Sequence, residues 1–294
     1  MFRLIGIDGT RHMLATVALT PYIAVAGLLW GAIALFARRW VVGLVVMLVS
    51  IVLVANVAAR AFPDSRPNGV GTAVRVMTSN TLGGLADAQV IVDIVRERNI
   101  DVLALQELTP EMVGDLDRAG LRALLPNRVF LAAPGGEGSG IASRYPVVRR
   151  DLTGPSTLRQ AGALVDLPGP DMEVVSVHPL PPVEVVGPEP WQRELAGLPP
   201  RDLGGPVRVL AGDFNATLDH VALRRLVNAG YVDAADQVGA GLIPTWPSDF
   251  PLWPPPVTLD HVLVDARCAV DTVDVITVPG TDHRAVVTQF VVPK

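Results

Sequence analysis

Two long apolar runs near the N-terminus constrain this chain more than any other feature. Residues 14–37 hold 24 positions without a charge, Arg38 and Arg39 follow, and residues 40–59 add 20 more uncharged positions. A helix crossing hydrocarbon needs ~20 apolar residues, so each run is long enough to span a bilayer. A tandem pair of buried core helices is the alternative, but such pairs are rare in soluble domains. A cleavable signal peptide fits worse, because its apolar region is ~7–15 residues and no second run would follow. Pro21, Gly27, Gly31 and Gly43 suit membrane helices, and Trp40 stands at an expected interface.

We therefore expect a tail over residues 1–13, two transmembrane helices over 14–60, a linker over 61–72 and a folded domain over 73–294. A two-span hairpin leaves both chain ends on one side. Arg38 and Arg39 in the turn favour a cytoplasmic turn and an extracytoplasmic C-terminal domain, although Arg3, Arg11, Arg60 and Arg66 flank the outer ends. The expectation is a multi-pass cell-membrane protein whose membrane contact is residues 14–59.

Composition narrows the rest. Half of the chain is hydrophobic and 18% is charged, which excludes a disordered polar protein. A single cysteine, Cys268, excludes an intrachain disulfide and a cysteine-based zinc site. Residues 67–294 carry 18 basic against 27 acidic side chains, a net of −9. A domain that neutralises many nucleic-acid phosphates should be basic, so this balance argues against a tight non-specific nuclease. Nothing in the sequence calls for an obligate protein partner.

Beyond the linker, marked by Pro63, Pro67, Asn68 and Gly69, short apolar segments alternate with turns. Strands are predicted over 74–77, 101–106, 129–133, 139–145, 162–167, 172–178, 207–212, 260–265, 269–278 and 285–292. Helices are predicted over 88–98, 111–124, 190–197 and 219–229. Many strands with interspersed helices imply an α/β sandwich. The stretch 179–200 is rich in proline and reads as an ordered loop.

Polar groups collect at strand ends. Apolar segments run into Asn80, into Gln106-Glu107, into His178 and into Asp213, with Asn215 two residues on. Asp260-His261 opens another strand, and Asp282-His283-Arg284 precedes the last one. Brought together at one rim, these carboxylates, amides and imidazoles suit a hard divalent cation with oxygen ligands and proton transfer beside it. They do not suit zinc, which would call for clustered His and Cys. Singly, each has a bland reading: Glu107 a solvated strand end, Asp213-Phe214-Asn215 an Asx turn, Asp282 a turn cap. His261 should face away from Asp260 by strand alternation and reads as structural. His220 reads as a surface residue and His12 as part of the tail. Arg144 and Tyr145 read as structural or site-shaping, Arg284 faces phosphate or solvent, and Trp246 is expected to pack beside the rim.

In order along the chain, Gln106-Glu107, 139–146 (SGIASRYP), Val177-His178-Pro179, 212–216 (GDFNA), Thr245-Trp246-Pro247, 259–263 (LDHVL) and 282–286 (DHRAV) resemble the motifs of the endonuclease/exonuclease/phosphatase superfamily. That superfamily includes pancreatic deoxyribonucleases, apurinic-site endonucleases, inositol-polyphosphate phosphatases and neutral sphingomyelinases. The resemblance covers about residues 73–292. It implies a four-layer α/β sandwich of two facing mixed β-sheets flanked by helices, here preceded by the two membrane helices.

The resemblance also implies metal-dependent hydrolysis of a phosphate ester. Glu107 would be the principal ligand of Mg²⁺, with Mn²⁺ as the alternative, and Asn80 and Asp282 would lie nearby. Asp260 would accept a hydrogen bond from His283, which then acts as base or as a cation beside the phosphate. Asp213 is the rival for orienting or deprotonating water, Asn215 would hold a phosphate oxygen, and His178 would contact the phosphate or protonate the leaving group. One departure stands out. Many members carry an amide shortly after the position of His178, where this chain has Pro179-Leu180-Pro181-Pro182. The expected activity is a membrane-anchored phosphodiesterase or phosphatase acting on a phospholipid head group or small phosphodiester. A nuclease and a catalytically silent binding domain are the alternatives.

Overall fold

The first apolar run does not form one straight helix. In the computed structural model, which describes residues 9–65, 69–182, 187–249 and 253–294, it is divided at Leu19 into α1 (Arg11–Ala18) and α2 (Thr20–Phe36), bent by 75°. Pro21 sits in the first turn of α2. It has no N–H to offer the preceding turn and is tolerated only where a helix begins, which ends α1 there. Leu14 and Val17, three apart on one face of α1, are buried, and Leu14 joins the core of the folded domain. The expected span over 14–37 is therefore corrected. Its first turns dock on the domain, and 17 residues remain in α2.

The second run forms a single helix. Helix α3 (Trp40–Ala58) continues through a 3₁₀ turn to Ala61, and Trp40–Ala61 is long and apolar enough to cross a membrane. Helix α2 passes that test only together with α1 as a bent pair. The two helices pack along a seam of small residues. A side-chain carbon added at Gly27 would meet Ser50 Oγ at 2.1 Å, and one at Gly43 would meet Leu35 at 2.6 Å, the close approach that small residues permit between apolar helices. Away from the seam, Leu29, Trp30, Val41 and Leu48 are exposed.

The junction with the domain is pinned. The buried Arg60 guanidinium donates to both carboxylate oxygens of Asp219, at 2.7 and 3.1 Å. Asp64 N donates to Gln237 O at 2.9 Å. Linker residues 66–68, tail residues 1–8, and 183–186 of the proline-rich stretch lie outside the described residues.

The domain contains two six-stranded mixed sheets. The first has the order β11 (Ala269–Thr277), β12 (Arg284–Pro293), β1 (Gly71–Asn80), β2 (Val102–Gln106), β4 (Ser139–Ser143), β3 (Asn127–Leu131). The second has β5 (Val147–Arg149), β6 (Gly162–Val165), β7 (Met172–Val177), β8 (Val207–Asp213), β10 (Asp260–Asp265), β9 (Tyr231–Asp233). Each is built on a central parallel pair, β1 with β2 and β7 with β8, flanked by antiparallel strands.

Alternation along the strands explains the layers. Val74 and Val76 of β1 point into the space between the sheets with Val174, Val209 and Val262. Met77, Leu103 and Leu105 point outward under α4 (Ala88–Glu97), α5 (Pro110–Arg118) and α6 (Leu121–Leu124). Val175, Leu210 and Leu263 point out under α7 (Glu189–Ala196), α8 (Val221–Asn228) and α1. Both faces of the central strands are thus buried, which is why they read as continuous apolar runs. The expected four-layer sandwich is observed.

Four local differences have simple causes. The helix expected over 111–124 breaks at Gly120, whose φ of 101° ends α5 before α6 begins. Strands β5 and β9 and the one-turn helix α9 (Ala234–Gln237) were not expected, because three or four residues carry no readable periodicity.

Candidate active site

The site is assembled from the ends of the central strands of both sheets. Asn80 ends β1, Glu107 follows β2, and His283 immediately precedes β12 in the first sheet. His178 follows β7, Asp213 ends β8, and Asp260 opens β10 in the second. Asp260 and Asp213 stand opposite each other in the antiparallel β10–β8 ladder. Two corners carry backbone in the left-handed region, Glu107 at φ 55° and Asn215 at φ 48°. Non-glycine residues rarely adopt it and do so mainly where surrounding contacts impose it. Here Asp213 Oδ1 accepts from Asn215 N at 2.8 Å, and Gly83 N donates to Glu107 Oε2 at 2.8 Å.

Asn80 joins the two sheets. Its Nδ2 donates to Glu107 Oε1 at 3.1 Å and to Asp213 Oδ2 at 3.2 Å, while its Oδ1 accepts from Leu82 N at 2.9 Å. The amide thus meets the carboxylates with its NH₂ group, as a bridge between them. His283 Nδ1–H donates to Asp260 Oδ2 at 2.9 Å, and its Nε2 lies 3.6 Å from Asp213 Oδ2 and 3.9 Å from Asp282 Oδ1. His178 Nε2 lies 3.9 Å from both Glu107 and Asp213. Asn215 Nδ2 donates to Pro179 O at 3.2 Å, which ties this amide to the proline loop after His178. Asp282 Oδ2 accepts from Trp246 Nε1 at 2.9 Å.

Burial and charge set the protonation states. Burial opposes the charged form of His283, but Asp260 and Asp213 outweigh it and push the imidazole up to about 10. His283 is therefore a cation at neutral pH. His178 moves the other way. Burial lowers it, and Asp213 only partly restores it. Burial raises the Asp213 carboxyl, His283 opposes that rise, and Asp260 adds to it.

Residues 77–283 match the family model described as the Endonuclease/Exonuclease/phosphatase family. The chain belongs to this family. The matched span contains Asn80 and ends on His283, so every candidate residue lies inside it. Among solved structures, the endonuclease/exonuclease/phosphatase from Beutenbergia cavernae is similar at 20% identity, TM-score 0.58, covering 75% of this chain and 72% of that one. D. rerio TDP2 complexed with single strand DNA product is similar at 18% identity, TM-score 0.58, covering 74% and 99%. Sphingomyelinase C from Streptomyces griseocarneus is similar at 16% identity, TM-score 0.51, covering 74% and 99%. These likenesses establish the endonuclease/exonuclease/phosphatase fold. No curated protein matches the chain.

Family membership implies a divalent metal, and the donor set can be tested for it. The rim offers carboxylate oxygens from Glu107, Asp213, Asp260 and Asp282, the kind of ligand that hard cations take. Asp260 Oδ1 and Asp282 Oδ1 are buried without a hydrogen-bond partner, as is His178 Nδ1. Unsatisfied buried acceptors are costly, so orphans at one rim point to a missing positive group. The residues therefore fit a metal. Asp213, Asp260 and His283 also place ligand atoms within 4.8 Å of one another, although in this cluster His283 Nδ1 is already committed to Asp260.

Several supporting residues received no role from the sequence, although Thr245 stands in one of the quoted motifs. Glu194 of α7 is buried and accepts from Thr157 N, Ser156 Oγ and Leu180 N, anchoring the loop after His178. Thr281 Oγ1 donates to Asn80 O and accepts from His283 N. Thr245 Oγ1 accepts from Leu259 N and Asp260 N. No local pattern distinguishes Glu194 or Thr281 from ordinary polar positions.

His220 is corrected. It is buried rather than on the surface, because α1 covers it: Nδ1 accepts from Thr217 N at 2.9 Å, and Nε2 meets Leu14 O at 3.1 Å. His12 lies in α1 rather than in a tail. Arg144 is spent on Asp101 and Ile100 O, and Arg284 on Pro244 O and Val275 O.

Proposed function

We propose that this chain is a membrane-anchored, divalent-metal-dependent hydrolase that cleaves a phosphodiester or phosphomonoester by in-line attack of water. The observation that carries this reading is the convergence of Glu107, Asn80 and His283 from one sheet with His178, Asp213 and Asp260 from the other, within hydrogen-bond or ion-contact distance of their neighbours. Glu107, with Asp282 as a further carboxylate, would hold Mg²⁺ or Mn²⁺, which when bound supplies positive charge to the phosphoryl oxygens, and Asn80, whose NH₂ faces Glu107 and Asp213, would orient those carboxylates rather than ligate the ion.

The chain's own groups do the rest. Asp260 orients the His283 imidazolium, whose Nε2–H faces a phosphoryl oxygen and offsets its developing charge. Asp213, raised by burial, orients the attacking water and takes its proton. Asn215 hydrogen-bonds a phosphate oxygen, and His178 stands on the leaving-group side. Helices α2 and α3 anchor the domain as a hairpin in the cell membrane. Their exposed apolar faces support this, and Arg38-Arg39 in the turn favours a cytoplasmic turn with the domain outside.

The test uses the full chain purified in detergent, assayed with and without Mg²⁺ on a phosphodiester, a phosphomonoester and DNA. Metal-dependent turnover of an ester other than DNA is expected. A folded protein that hydrolyses none of them overturns the enzyme reading, and exclusive turnover of DNA converts it to a nuclease. A reporter fused after Lys294 should be active only outside the cytoplasm.

A further inference from the structure

Two cavities meet at the bend between α1 and α2. The one at the rim encloses about 350 Å³ and is lined by Ala18, Asn215, Trp246, Leu259 and His283 among others. The other encloses about 510 Å³ between α2 and the domain. Val25, Ala26 and Leu29 form its wall on the helix, and Leu218, Leu242 and Val257 form its wall on the domain. Ala18 lines both. Such volumes are in the ~300–1,000 Å³ range of small-molecule sites.

The larger cavity is built for an apolar guest. Its polar lining groups are already engaged: Tyr22 Oη donates to Pro256 O at 2.7 Å, Arg60 and Asp219 are paired, and both His261 nitrogens are hydrogen-bonded. What remains is hydrocarbon. Its helical wall also has a direction. Leu29 lies nine residues into α2, roughly 13 Å along the axis from Thr20, so the cavity extends from the phosphate chemistry along the helix that enters the bilayer. Val25 and Leu29 are more than half exposed. On the domain side, Leu242, Ile243 and Trp253 are exposed apolar residues of the same region of chain, the type that settles at a membrane interface.

We infer that the cavity between α2 and the domain receives one acyl chain of a phospholipid drawn from the surrounding bilayer, with the lipid's phosphate ester lying in the rim cavity beside Asn215 and His283. This rests on the phosphoesterase reading and names its substrate class. A soluble apolar ligand would have no use for a wall continuous with the anchor. A lipid gains by leaving its tail against the helix that already sits among lipid tails, and only its head group must be lifted to the rim.

Two measurements on the full chain test this. In vesicles of phosphatidylcholine and phosphatidylglycerol doped with a diazirine-tailed phospholipid, irradiation should label α2 between Tyr22 and Leu29 together with residues 241–258. In the second, kcat/KM is measured for a dispersed phospholipid and for a water-soluble diester. Ala26→Trp, which fills the cavity, should lower the ratio of lipid to soluble turnover about tenfold or more. Labelling spread evenly over all lipid-exposed faces of α2 and α3, or an unchanged ratio, overturns the acyl-chain site. Because labelling needs no turnover, it reads the cavity even if Ala26→Trp fails to fold. Specific labelling in a wild-type protein that cleaves neither substrate upholds the cavity while overturning the enzyme reading.

Discussion

Two histidine–carboxylate pairs lie back to back on one strand. Asp260 and His261 are consecutive in β10, so their side chains leave opposite faces of the second sheet. Asp260 pairs with His283 at 2.9 Å on the rim, and His261 pairs with Asp233 at 2.6 Å on the other side. Both pairs are buried, and in both the carboxylate more than offsets the burial that disfavours the imidazolium, so both histidines are raised. What separates them is the second ring nitrogen. That of His261 meets Ala216 O at 2.9 Å, and its ring packs edge-on to Phe214. That of His283 faces Asp213 and Asp282 at ion-contact distances and lines the rim cavity. The two pairs share their chemistry and differ in whether a ring nitrogen is left facing the rim.

The same substitution on each face should give opposite results. The largest effect is expected for His283→Ala, which should lower turnover ~10²–10⁴-fold, with a smaller loss of stability than at His261 because truncating His283 opens Asp260 to the rim cavity that the ring lines. Near-normal turnover would remove His283 from the mechanism. His261→Ala should reverse the pattern. It leaves Asp233 buried without its partner, a change that typically costs about 3–5 kcal/mol, while turnover per folded molecule stays within a few-fold. Denaturant unfolding together with active-site-normalised rates measures both.

A pH series sharpens the contrast. A histidine raised on folding contributes stability that is full below its unfolded value of ~6.5 and is lost as pH rises through the folded value. The stability gap between the wild type and His261→Ala should therefore be widest near pH 6 and narrow at alkaline pH. A gap that widens with pH would mean that His261 is neutral in the folded protein. The smallest effect is expected for Trp246→Phe. It deletes the donor to Asp282 Oδ2, a hydrogen bond to a charged group worth about 1.5–3 kcal/mol at most. Turnover should fall a few-fold, with a raised metal requirement as the accompanying readout.

The domain's strands and most of its helices were legible in advance, because burial on both faces of the central strands writes itself into continuous apolar segments. The strand-end residues were legible as well. Each is a polar group closing an apolar run, and their order matched a known set of motifs. The resemblance, rather than spacing, linked Asp260 to His283, and strand alternation alone turned His261 away from it. The bend at Leu19 was harder. Residues 14–37 are uniformly uncharged, and whether a proline bends, kinks or merely starts a helix depends on what surface waits to be covered. Here Leu14 found the core of the domain. That docking also buried His220, whose local sequence resembles an exposed helix start.

By itself, then, the sequence determined that an apolar N-terminal region precedes an α/β sandwich, and which residues would stand at strand ends. Period, run length and terminating residue are local properties, set by the pleat and by the cost of burying charge. Only the tertiary structure decided which ends meet. Asn80 bridges Glu107 and Asp213 across 27 and 133 residues of chain, and α1 closes against a histidine more than two hundred residues away. Contacts of that range follow from how two sheets and their outer helices pack, which no local pattern encodes.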